Sequence, residues 1–203
     1  MEAAALSHGH AEEHHGPPEA HRSSRVDHRT LGMLLFIISE IMVFGAFFTA
    51  YFFIRVVGGA DWPAEGTELP KLIAGVNTAV LISSSFTIHF AQESIRKDNR
   101  LGLQLGMVTT FLLGLTFLFI QINEYVHIGF SPQDSAQGTI FYGLTGLHGA
   151  HVFIGLTLLA FTTIRAFRGH FTPAEHRGVE VPGIYWHFVD VMWVIVYLSV
   201  YII

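Results

Sequence analysis

Residues 31–55 read LGMLLFIISEIMVFGAFFTAYFFIR. Between Arg29 and Arg55 the only charged side chain is Glu40. A run of about 20 apolar residues, rising 1.5 Å each, crosses a bilayer core of roughly 30 Å. The stretch therefore reads as a transmembrane helix with an acid inside it. Glu40 follows Leu31 by about 14 Å of helix axis, which puts it near mid-depth. An acid at that level calls for a partner, a water path or a proton.

Four more apolar segments follow. Taken together the five run roughly over 30–55, 71–95, 101–127, 139–166 and 181–203. The breakers fall between them: Gly58-Gly59 with Trp62-Pro63 and Pro70, Lys97-Asp98-Asn99-Arg100, Ser131-Pro132, then Pro173 and Pro182. Only 13% of residues are charged, about half the share of a soluble domain, while 51% are hydrophobic. The expected fold is thus all-α, a polytopic membrane bundle of five transmembrane helices spanning residues 29–203. The absence of cysteine excludes disulfides, thiolate metal sites and cysteine nucleophiles. No internal repeat stands out.

Residues 1–28 are a polar tail holding His8, His10, His14, His15, His21 and His28. The tail has no apolar period and reads as disordered or extended. Its histidines suit weak metal binding or proton buffering, and the plainer reading is a solubilising tail. With the N-terminus cytoplasmic, all but Arg55 and Lys71 of the 11 basic residues fall on the inner side. That is the asymmetry the positive-inside rule expects, and it puts the C-terminus outside.

The polar residues within the segments carry the functional question. His148 and His151 stand at i, i+3 in segment 4, and His187 and Asp190 likewise in segment 5. Counting 1.5 Å per residue places Glu40, His148, His151 and Asp190 near one level. If their helices are neighbours, they form an intramembrane polar cluster. Glu124 and His89 fall near opposite membrane surfaces. Three chemistries compete for these groups. Imidazole and carboxylate suit zinc, iron or copper, against a hydrogen-bonded cluster that only sets helix register. Intramembrane Asp, Glu and His also mark proton relays. Arg165, Arg168, His170 and Arg177 gather at the inner end of segment 4, where basic pockets hold anionic head groups, or where plain topology puts basic residues anyway. A Gly-rich phosphate loop, a GxSxG elbow and a clear haem-ligand pattern are all missing.

Several stretches, in order over residues 29–203, resemble the cytochrome c oxidase subunit III family. They are LLFIISEIMVFGAFF around Glu40, VNTAVLISSS with Asn77, INEYVHI with Glu124, LTGLHGAHVFIG with His148 and His151, and YWHFVDVMWVIVYLSVY with His187 and Asp190. The resemblance implies an accessory, non-redox subunit of a respiratory haem–copper terminal oxidase in the bacterial cytoplasmic membrane. It implies haem and copper in partner subunits and no cofactor in this chain, with oxygen reduced in the catalytic subunit I. It also implies bound phospholipid, support of proton uptake, and contact with subunit I and other oxidase subunits. Nucleic acid is not an expected partner. Glu40 matches the family's carbodiimide-reactive membrane glutamate, and Arg165 and His170 resemble its head-group contacts. Five helices resemble the shorter bacterial members rather than the seven-helix ones, whose lipid cleft is bounded by the two extra helices. The rival reading is a free-standing membrane enzyme or transporter that uses the His and acid cluster with a metal.

Overall fold

The computed structural model describes residues 28–57 and 69–203. The tail histidines from His8 to His21, and Trp62, lie outside the described residues. Five helices follow in chain order: α1 (His28–Phe52), α2 (Lys71–Arg96), α3 (Arg100–His127), α4 (Ala136–Phe167) and α5 (Arg177–Tyr197). Each is long and apolar enough to cross a membrane. Two of them widen into a π-helical turn at their ends, over Phe53–Val57 and Leu198–Ile202.

The starts of α3 and α4 follow from local chemistry. A helix opens with four amide groups that lack intrahelical acceptors. Asn99 caps α3 by accepting from the Gly102 amide at 2.9 Å, and Ser135 caps α4 by accepting from the Gly138 amide at 3.0 Å. The α2–α3 turn is tight because Asp98 takes φ 57°, a left-handed conformation that Asp tolerates better than most residues. The sequence marks Pro182 as a breaker ahead of the last segment, but it lies inside α5, which already starts at Arg177. Proline there removes one backbone bond near the helix start. The first turn is held all the same, because Glu180 pairs with Arg96 of α2 at 2.8 Å and with His176 at 3.1 Å.

Helices α2 to α5 form a closed ring, α2 on α3, α3 on α4, α4 on α5 and α5 back on α2, while α1 packs from outside against α4 and α5. In lipid there is little hydrophobic drive between helices, so close packing and hydrogen bonds must hold the ring. Small residues supply the close approach. A Cβ added at Gly106 of α3 would meet Ala91 of α2 at 2.7 Å. Gly114 of α3 and Gly155 of α4 open a slot for the Trp186 indole, which an added Cβ would meet at 2.5 Å and 2.9 Å respectively. Trp186 Nε1–H then donates to Ser84 Oγ at 2.8 Å, and Trp193 Nε1–H to Thr78 Oγ1 at 2.9 Å. Both indoles of α5 are thereby fully buried with their one polar atom matched. Helix α1 is different: of its residues only Phe44 and Tyr51 are buried. Its small residues Gly32, Ser39, Ala46 and Ala50 stay exposed, so none of the described helices uses that stripe.

Candidate functional site

The residues expected to form an intramembrane polar cluster, Glu40, His148, His151, His187 and Asp190, separate into two contacts and one isolated imidazole. Glu40 of α1 meets His151 of α4, with 2.9 Å between Oε2 and Nε2. The pair is nearly dry, the Glu40 side chain being 18% exposed and the His151 side chain 8%. His151 Nδ1 lies 2.8 Å from the Leu147 carbonyl of the preceding turn. A carbonyl only accepts, so Nδ1 carries a hydrogen and Nε2 faces the acid. One proton between Nε2 and Oε2 completes the bond. Phe44 closes over the imidazole at 5.0 Å between centroids.

The second contact joins α5 to α2. Ser85 Oγ–H donates to Asp190 Oδ2. That leaves the serine oxygen to accept from His187 Nδ1, 3.1 Å away. Asp190 is buried and its Oδ1 has no hydrogen-bond partner among the described residues, whereas His187 is only half-buried. The chain His187, Ser85, Asp190 thus leads from a partly open edge to a closed interior. His89, one turn from Ser85 along α2, is exposed.

His148 joins neither contact. It points into the ring and is 0% exposed. Trp193 lies against it at 4.7 Å between centroids and Phe117 meets it edge-on at 5.7 Å. Among the described residues, neither of its nitrogens has a hydrogen-bond partner. The spacing of His148 and His151 explains the division. Three residues turn a helix by about 300°, so the two rings diverge by roughly 60°, enough for one to face α1 and the other the core.

At the end where α3 finishes, Glu124 is 5% exposed despite its place near a helix terminus. Tyr201 Oη–H donates to its Oε1 at 2.6 Å. At the opposite end, Arg29, Arg165, His170 and Arg177 line a cavity of about 470 Å³ together with Glu175. The Arg165 guanidinium also sits 5.2 Å over the Phe171 ring. Ser85 and Tyr201 were not legible as site residues in the sequence. Ser85 sits in the run Ser83-Ser84-Ser85, and only helix phase decides which serine faces α5. Among the described residues, no group of three or more His, Cys, Asp or Glu side chains comes together in a way that could hold a metal ion.

Comparison with known proteins bears on the whole arrangement. A model of the cytochrome c oxidase subunit III family matches residues 17–203. The chain is 41% identical over 184 residues to cytochrome c oxidase subunit 3 of Thermostichus vulcanus, which covers 90% of this chain and 91% of that protein. With the subunit 3 of a Synechocystis species it shares 41% identity over 197 residues, 96% of this chain and 81% of the relative. With the subunit 3 of Oryctolagus cuniculus it shares 39% over 176 residues, 84% and 67% of the two chains. These matches lend no support to a free-standing metal-dependent enzyme or transporter.

Proposed function

The chain belongs to the cytochrome c oxidase subunit III family, and from that premise we propose that it works as an accessory, non-redox subunit that retains anionic phospholipid and lends proton-holding groups to a catalytic partner. In this reading haem and copper reside in the partner subunits, and oxygen is reduced there. The protein is a multi-pass membrane protein. Its proposed home is the bacterial cytoplasmic membrane, with the N-terminus and the basic end of α4 on the cytoplasmic side, as the distribution of Arg and Lys favours.

The observation that carries the lipid part is the basic cavity. It draws Arg29 from the start of α1, Arg165 from the end of α4, His170 from the connecting loop and Arg177 from the start of α5. Guanidinium groups bind phosphate oxygens through paired N–H donors, and basic pockets between helices hold anionic head groups. The exposed face of α1 beside it leaves apolar surface for the acyl chains and for neighbouring subunits. The proton part rests on the Glu40–His151 pair, an acid and an imidazole joined by one hydrogen bond and largely shielded from solvent.

The test is lipid analysis of the assembled oxidase. With Arg165→Ala and Arg177→Ala combined, co-purified anionic phospholipid is expected to fall while neutral lipid stays. Equal anionic lipid in both preparations would remove lipid retention from the reading. Mild-detergent purification of the wild-type chain is expected to bring a larger haem-containing subunit with it, and recovery of this chain alone would count against the accessory role.

A further inference from the structure

Glu124 presents an unusual combination. Its Oε1 is satisfied by Tyr201, but its Oε2 has no hydrogen-bond partner among the described residues although the residue is 5% exposed. A buried carboxylate oxygen without a donor or a cation is costly. Glu124 lines a cavity of about 120 Å³ whose wall also includes Asn123, His127 and Pro70. At about 30 Å³ per water, that space admits an ion with part of its hydration shell.

His127 is prepared in the same way. Its Nδ1 lies 2.8 Å from the Asn123 carbonyl. The carbonyl accepts, so Nδ1 carries the hydrogen, and in the neutral ring Nε2 is the nitrogen that offers a lone pair. A metal-binding imidazole characteristically gives its other N–H to a backbone carbonyl, and a metal-binding carboxylate is itself hydrogen-bonded. Both supporting contacts exist here, before any ion arrives. Glu and His three residues apart on one helix is also a spacing that places both ligands on one metal in helical bundles. The site lies in the last turn of α3, where unpaired carbonyls and the helix dipole favour positive charge.

We propose that Glu124 and His127, with Asn123 at the rim, form an exchangeable site for a divalent cation of the zinc class at the α3 C-terminal end of the bundle. One imidazole nitrogen, one carboxylate oxygen and an amide or carbonyl oxygen suit such a borderline ion. Among the described residues no third His, Cys, Asp or Glu joins them. Water therefore completes the shell, and the ion exchanges with the solution rather than serving as a structural staple. Occupancy gives the unmatched Oε2 its counter-charge and ties the end of α3, through Tyr201, to the end of the chain.

The experiment is zinc binding, by equilibrium dialysis, to the oxidase assembled with this chain. Wild type, His127→Ala and Tyr201→Phe are compared. His127 is exposed, so its truncation leaves the packing intact. His127→Ala is expected to lose one zinc per complex at micromolar free zinc, with loss of imidazole scattering at the zinc X-ray absorption edge. Tyr201→Phe, which removes only the supporting hydrogen bond, is expected to bind about 10- to 100-fold more weakly. Superimposable zinc binding by wild type and His127→Ala would overturn the proposal and leave Glu124 a buried acid closed by water.

Discussion

At the scale of single residues, the pair Glu40–His151 is the contact whose energy can be isolated. Hydrogen bonds between membrane helices average about 0.6 kcal/mol and reach roughly 1.7, less than burial alone suggests, because a chain unfolded within the membrane also finds partners. A double-mutant cycle of Glu40→Ala and His151→Ala, followed by thermal unfolding in detergent, is expected to give a coupling in that range. Strictly additive single variants would mean the two side chains do not meet. Ser85 is a sharper case, since one hydroxyl serves both His187 and Asp190. Ser85→Ala strands a buried carboxylate oxygen, at a cost of about 1–3 kcal/mol, while Ser85→Thr keeps the hydroxyl and most of the stability. Equal melting of the two variants would show that the shared hydroxyl contributes nothing.

At the scale of elements, the ring of α2 to α5 depends on glycines that admit an indole. Gly114→Ala gains about 1 kcal/mol of helix propensity, but its Cβ falls 2.5 Å from Trp186 Cη2 and 3.0 Å from Leu156 Cδ2. The ring cannot retreat. Ser84 holds its nitrogen, and Gly155 bounds its other side so closely that a Cβ there would sit at 2.9 Å. Overpacking costs about 1–3 kcal/mol, so the clash wins and Gly114→Ala is expected to lower the melting temperature and shift tryptophan fluorescence. Gly149 has nothing within 4 Å of an added Cβ. Gly149→Ala is therefore expected to hold or raise the melting temperature of the chain on its own. Destabilisation there by as much as Gly114→Ala would show that the glycines differ less than their surroundings imply.

For the whole molecule, α1 is an appendage to a ring that is closed without it. Among the described residues its main contacts run to α4 and α5, with Tyr51 and Arg55 both donating to the Ser199 carbonyl, Arg55 at 3.2 Å, and Arg55 also to the Ile203 carbonyl. A shortened chain lacking residues 1–57 is expected to keep the near-ultraviolet circular dichroism of buried Trp186 and Trp193. It should nevertheless lose assembly with the partner and the bound anionic lipid, because Arg29 and the exposed α1 face leave with it. Collapse of the tryptophan signal would mean that α1 is part of the folding unit rather than an outer helix.

The amino-acid sequence by itself determined the number of long apolar helices, the acid near the middle of the first one and the family. These follow from hydropathy, helix rise and motif order, which are properties of one dimension. The division of the polar residues was not legible there. Depth along a helix is countable, but azimuth matters as well, and the neighbours at each azimuth come from packing. Glu40 thus found His151 while His148, three residues away, turned into the aromatic core. Asp190 found a serine rather than either histidine of α4. Only the tertiary structure decided these partners, because a helix fixes how far apart two side chains point but not which helix stands in front of each.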